Sequence, residues 1–195
     1  MTETQDQRLK ALNDWVQDVL GASSLECAPA SGDASFRRYF RFTGADGTWI
    51  GMDAPPAQEP LGPFLRVAEQ LADIGLNVPL IHARNEQQGF LLISDLGSRQ
   101  YLHALAADGL DDYMQLYSDA IDSLVLLQSR GSAFACELPV YDEALLTAEM
   151  ELFPRWYLQS HLGIEPDTAA QQMWQRLVAV LVQAALAQPR VVVHR

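Results

Sequence analysis

Leu92-Ile93-Ser94-Asp95-Leu96-Gly97 is the stretch on which the fold turns. Ahead of it the chain carries strand and turn signals; behind it the apolar residues recur at helical spacing. Phe90 to Ser94 is a short apolar run, parted from a second, Val78 to Ala83, by the polar bend Asn85-Glu86-Gln87-Gln88-Gly89. Both runs read as strands. Farther back, Phe64, Leu65, Val67, Ala68, Leu71, Ala72 and Ile74 mark an amphipathic helix stopped by Gly75. The segment from Ala54-Pro55-Pro56 to Pro60 can continue neither a helix nor a ladder, because proline lacks the amide donor. Phe36 to Phe42 alternates aromatics with arginines and reads as a strand. Ala45-Asp46-Gly47 then offers tight-turn chemistry, and Thr48 to Asp53 should pair back on it. The first element is a helix over residues 6–20, carrying Leu9, Leu12, Trp15, Val16, Val19 and Leu20 and ending at Gly21. The expected N-terminal architecture is an antiparallel sheet with one helix inserted between its third and fourth strands.

Beyond Gly97 the reading is helical. Tyr113, Leu116, Tyr117, Ala120, Ile121, Leu124 and Leu127 form one stripe, closed by Gly131. Asp142 and Asp167 are expected N-caps, because a side-chain carboxylate there can accept from the amides of a first helical turn. Pro189 ends the last helix, and Val191-Val192-Val193 reads as a buried strand running into His194-Arg195. The composition shift at Asp95 predicts two parts, residues 1–95 holding the sheet and residues 96–195 a helical lobe.

Composition narrows the function. The chain has 195 residues, 49% of them apolar, which suffices for a sizeable core, and a net charge of −12. An acidic surface repels nucleic-acid phosphate and anionic lipid, so neither is an expected partner. One dense basic patch, Arg37, Arg38 and Arg41, stands in the first half. Cys27 and Cys136 have no metal-ligand spacing and read as reduced, partly buried thiols. His82, His103 and His161 stand without partners at ligand spacing and read as surface groups. No signal-peptide pattern and no run of about 18–20 apolar residues is present, so a cytoplasmic location is the expectation.

Four segments sharpen the picture: Ser31-Gly32-Asp33-Ala34-Ser35-Phe36-Arg37-Arg38-Tyr39-Phe40-Arg41, Met52-Asp53-Ala54-Pro55-Pro56, Leu92 to Gly97, and Val191-Val192-Val193-His194-Arg195. In this order they resemble the aminoglycoside-phosphotransferase family, and within it the bacterial cell-wall recycling kinases that phosphorylate the anomeric hydroxyl of N-acetylmuramate and N-acetylglucosamine. The resemblance implies an α+β, protein-kinase-like fold with a five-stranded antiparallel N-lobe and an incomplete helical C-lobe. It also implies ATP and Mg²⁺ as cofactors and a small sugar as acceptor. A kinase for an aminoglycoside or another small alcohol, and a non-catalytic nucleotide-binding module, remain open as alternatives. Nothing in the sequence addresses oligomeric state.

The same resemblance distributes roles. Ser31, Gly32, Asp33, Ala34 and Ser35 would form a small-residue turn between strands one and two, whose backbone amides hold phosphate oxygens. An ordinary hairpin loop is the plainer reading. Met52 stands where the broader kinase pattern has a phosphate-gripping lysine, and Arg37, Arg38 or Arg41 could supply that charge, or could simply be exposed strand arginines keeping a sheet edge soluble. Glu69 reads as a solvated helix charge. Ser94, Asp95 and Leu96 would offer backbone groups to an adenine edge, although Asp95 could instead cap a helix starting near Arg99. Glu149, Arg155 and Trp156 would border the acceptor, whereas the near-helical spacing of Phe153, Trp156 and Tyr157 favours core. His194 would buttress a catalytic loop whose acid/base aspartate follows Arg195 in the family. By that resemblance, the catalytic Asp and the Mg²⁺ ligands of the family have no counterpart among these 195 residues. The chain by itself is therefore expected to be inactive, whether as a fragment or as a naturally truncated product.

Overall fold

The computed structural model describes residues 3–31, 35–107 and 110–194. Two compact units divide the chain, Met1–Leu127 and Gln128–Arg195. The first unit opens with helix α1 (Glu3–Leu20) and then forms one sheet from β1 (Glu26–Ser31), β2 (Arg38–Gly44), β3 (Gly47–Asp53), β4 (Ile81–Asn85) and β5 (Phe90–Ser94). Helix α2 (Leu61–Asp73) lies between β3 and β4 in the chain, and α3 (Tyr101–Ala107) and α4 (Leu110–Arg130) follow β5. The strand order is β1-β2-β3-β5-β4, and every neighbouring pair is antiparallel. This is the expected sheet with its helix between the third and fourth strands.

The strand that patterning misses is β1. Its sequence, Glu-Cys-Ala-Pro-Ala-Ser, lacks apolar alternation and contains Pro29. Pro29 is tolerated because β1 is an edge strand, whose outward amides need no partner, and the pairing slips between Pro29 and Ser31. The strand expected over Val78 to Ala83 instead runs Ile81–Asn85. Pro79 has no amide to give, so the ladder to β5 begins beyond it. Leu80 ties the approach down, accepting from the Ser94 amide and donating its own amide to the Ser94 hydroxyl, each at 2.9 Å.

The pleat sends alternate side chains to opposite faces, and each face acquires its own core. Phe40, Phe42, Phe90 and Leu92 pack with Leu12 and Val16 of α1. Met52, Ala54, Leu91 and Ile93 pack with Leu61 and Leu65 of α2, with Tyr39 and Ile50 alongside. Gly51 belongs to the α1 face: a Cβ there would lie 2.5 Å from the ring of Phe42.

The second unit holds α5 (Glu143–Met150), a π-helix (Phe153–His161) and α6 (Thr168–Leu186). Both expected caps form: Asp142 accepts from the Leu145 amide at 2.9 Å and Asp167 from the Ala170 amide at 2.8 Å. Three expectations fail here or nearby. Val191 to Val193 make no strand; among the described residues no backbone ladder reaches them, and only the middle valine is buried, packed against Gly131. Phe153, Trp156 and Tyr157 are exposed rather than core, with Phe153 flanked by Tyr157 and by Trp174 of α6 at 5.5 and 5.4 Å. Cys27 and Cys136 are exposed.

Candidate functional site

The three clustered arginines are all committed to carboxylates, and the pleat separates them. Arg38 faces α1. Its guanidinium donates through Nε to Oδ2 of Asp53 at 3.0 Å, directly across the β2–β3 pair. Arg8 of α1 takes the other oxygen, Nε to Oδ1 at 2.8 Å, with its Nη2 also on the same oxygen and on the Gln88 carbonyl at 2.7 Å. Asp53 is wholly buried between them. A buried carboxylate persists only when charge and hydrogen bonds replace its lost hydration, and here two guanidinium groups do so. The two arginines also lie over rings, Arg8 over Phe90 at 5.1 Å and Arg38 over Phe40 at 5.5 Å.

Arg37 and Arg41 serve other segments. Arg37 pairs with Glu59 at 3.1 Å and lies 5.6 Å from the ring centroid of Phe64, at the start of α2. Glu59 also accepts from the Phe36 amide at 3.4 Å, so it holds the chain where it leaves the turn. Arg41 reaches from β2 across β3 to Asp95, Nε to Oδ2 at 2.6 Å and Nη2 to Oδ1 at 3.0 Å. The reading of these residues as edge arginines is therefore corrected: β2 is flanked by β1 and β3, and none of the three is free of a carboxylate.

Asp95 does not cap a helix. Its carboxylate is occupied by Arg41, by the Gly97 amide at 2.8 Å and by the Thr48 hydroxyl, while α3 begins only at Tyr101. Hydrogen bonding from Arg41, then from Gly97 and Thr48, outweighs burial and lowers its pKa from 3.8 to about 2. A carboxylate with a depressed folded-state pKa adds stability above its unfolded value, and that stability fades as pH falls through the folded one. The stability advantage of wild type over Asp95→Asn should thus be complete above pH 3.8 and shrink toward zero near pH 2. Paired thermal melts across that window check this; a constant difference would show the ion pair adds nothing.

Of the expected phosphate turn, Gly32, Asp33 and Ala34 lie outside the described residues. Ser31 ends β1, and Ser35 accepts the Arg37 amide at 3.1 Å, so both flanks of the turn are placed. Met52 is fully buried against α2 and Glu69 is exposed on that helix, so this face carries no lysine–glutamate pair. The backbone of Ser94, Asp95 and Leu96 leaves the sheet at the end of β5. Patterning missed Glu59 and Arg8, since a lone charge on a polar helix or loop gives no signal of its partner.

In the second unit, Arg155 lies over Trp156 at 5.4 Å, both exposed, and Glu149 is half-buried. Glu151 accepts from the Trp174 indole at 3.0 Å. His194 is exposed just past Val192. A groove of 560 Å³ in this unit is lined by Cys136, Pro139, Tyr141 and Leu186 together with Val191 to Val193. His82, His103 and His161 are all exposed, and no group of three or more His, Cys, Asp or Glu side chains that could hold a metal occurs among the described residues.

A five-stranded antiparallel sheet with one helix inserted between its third and fourth strands, together with further helices, is the architecture expected of a protein-kinase-like fold. A family model described as "Phosphotransferase enzyme family" matches residues 26–195, and the chain belongs to that family. Two curated relatives are named N-acetylmuramate/N-acetylglucosamine kinase. The protein from Pseudomonas aeruginosa is 44% identical over 202 residues, covering 98% of this chain and 58% of the relative. The one from Pseudomonas putida is also 44% identical, covering 97% and 58%. A third of the same name, from Neisseria meningitidis serogroup B, is 37% identical, covering 97% and 56%. The chain thus spans a little under three-fifths of the length of these relatives and matches their N-terminal portion. No helix among the described residues is long and apolar enough to cross a membrane.

Proposed function

We propose that the full-length protein transfers the γ-phosphoryl group of ATP to the anomeric hydroxyl of an N-acetylated amino sugar. The observation that carries this is the sheet topology with α2 inserted between β3 and β4, in a chain 44% identical to two named sugar kinases. The nucleotide would lie on the α2 face of the sheet. Phosphoryl transfer asks mainly for positioning and for donors at the oxygens that gain charge. The turn from Ser31 through Gly32, Asp33 and Ala34 to Ser35 would present amides to the phosphates. Arg37 stands at that turn's exit on the side of α2 and is the arginine best placed to add positive charge, whereas Arg38 is turned to the opposite face by Asp53. Ser94 to Leu96 would read the adenine edge with backbone groups. The lobe boundary is proposed at Asp95, one residue past the end of the last strand, whereas the two compact units of the chain divide at Leu127.

Glu149, Arg155 and Trp156 are proposed to border the sugar, since C–H faces stack on aromatic rings and hydroxyls donate to carboxylates. His194 would support the catalytic loop that follows it in the resembled family. A cytoplasmic location follows from the substrates. The decisive assay supplies full-length protein with ATP, Mg²⁺ and, in separate reactions, N-acetylmuramate, N-acetylglucosamine, an aminoglycoside and choline. Formation of the sugar 1-phosphate is the expected result; transfer only to the aminoglycoside or choline would overturn the acceptor. For the 195-residue chain, ATP at 100-fold its Kd should stabilise the fold by about 2.7 kcal/mol, and no shift with any nucleotide removes the nucleotide site from this portion.

A further inference from the structure

The segment Ser94 to Gly97 is anchored in a way its proposed role does not require. Backbone recognition of a base edge is indifferent to side-chain identity, yet Asp95 is nearly inaccessible, its side chain 5% exposed, and takes two hydrogen bonds from Arg41. Arg41 comes from β2, two strands away, and passes over β3 on the α2 face. Its cross-strand partner is Ile50, which in turn pairs with Ile93. Thr48, two residues before Ile50, adds its hydroxyl to the same carboxylate. One Asp95 oxygen also accepts the Gly97 amide at 2.8 Å, across a backbone turned to positive φ at Gly97. Among the described residues, the Leu96 amide and the Asp95 carbonyl make no hydrogen bond within the backbone network. These are a donor and an acceptor beside a ceiling of Ile50 and Ile93.

We infer that Arg41 is a positioning residue for purine recognition: by clamping Asp95 it fixes the backbone donor and acceptor of residues 95–96 against the sheet, and so sets affinity and selectivity for the adenine edge. The inference rests on the proposed nucleotide site. A flexible segment would have to be ordered by the nucleotide at a cost in affinity, whereas a clamped one is already in place. Bidentate geometry matters, because a single-point cation leaves the carboxylate free to pivot.

The test uses full-length protein and three forms: wild type, Arg41→Gln and Arg41→Lys. Arg41→Gln should raise KM for ATP roughly tenfold and narrow the preference for ATP over GTP, with kcat and the acceptor KM changed about twofold or less. Arg41→Lys should recover part of the ATP affinity. Amide hydrogen exchange at Gly97, whose amide donates to the Asp95 carboxylate, measured on the full-length protein without nucleotide, should speed up roughly tenfold in Arg41→Gln. This second reading does not depend on activity and also shows whether the variant keeps its sheet. Unchanged KM for ATP and unchanged base preference, with wild type active, would overturn the clamp while leaving the kinase reading intact. Wild-type protein that neither binds nor uses any nucleotide overturns that reading and the clamp together. A uniform fall in kcat with both KM values unchanged would mark Arg41 as merely structural.

Discussion

Replacing Asp53 by alanine should lower the stability of the first unit by about 3 kcal/mol, the low end for breaking a buried ion pair. The low end applies because the partners are not sealed: the Arg8 and Arg38 side chains keep 26% and 22% of their exposure, against none for Asp53. The loss has two sources. Two guanidinium groups drawn together by one carboxylate are left repelling each other, and α1 loses its polar anchor to the end of β3. Arg8→Ala should cost less, since Asp53 retains Arg38 and the stem contacts of α1 through Leu12 and Val16 persist. Trp15 packs on Phe90 with ring centroids 5.9 Å apart, beside the cluster, so the fluorescence of a Trp156→Phe/Trp174→Phe background during urea unfolding reads the first unit. A loss below about 1 kcal/mol would reduce the cluster to the worth of a surface pair.

Gly89→Ala should be of similar size, about 3 kcal/mol, for a different reason. Gly89 has a φ of +75°, which alone disfavours a side chain by about 1–2 kcal/mol. A Cβ there would also fall 1.9 Å from the Ala54 carbonyl oxygen, a backbone atom that no rotamer change can move. The approach is close because the Ala54 amide donates to the Gly89 carbonyl at 2.8 Å, tying the exit of β3 to the β4–β5 turn. Gly21→Ala is the comparison: φ is +62° and nothing lies within 4 Å, so only the backbone term of about 1 kcal/mol applies. Equal losses for the two variants would deny the clash. Because the Gln88 carbonyl also accepts from Arg8, the Asp53 and Gly89 variants share a neighbourhood, and their effects should not add.

Both predictions concern residues whose importance was not legible in one dimension. The Met52-Asp53 pair stands out in the sequence only as a departure from a lysine pattern. In space the two part company: Met52 fills the α2 core and Asp53 anchors α1 on the opposite face. Alternation along β3 makes that division inevitable once the register is known, but the register depends on β2 and β5. The run Arg37-Arg38 reads as one basic patch, yet adjacent residues entering a strand diverge, and only the fold decides which faces the α2 side. Asp95 offered two local readings, hinge and helix cap, and neither included a cation from 54 positions earlier. The terminal valines and the aromatic run Phe153 to Tyr157 are apolar yet mostly exposed, so apolar character along one segment does not by itself predict burial. Burial depends on what a segment is packed against, which a pattern along one segment does not contain.

The sequence by itself determined the order of elements around Asp95, the inserted helix, the helix caps at Asp142 and Asp167, and the phosphotransferase family, because periodicity, turn chemistry and capping are local properties of neighbouring residues. Tertiary structure alone decided that Pro29 lies in an edge strand, that Asp53 is shared by Arg8 and Arg38, and that Arg41 clamps Asp95. Each of those depends on groups far apart in the chain whose meeting is set by strand register and pleat, and register is a property of the assembled sheet rather than of any one strand.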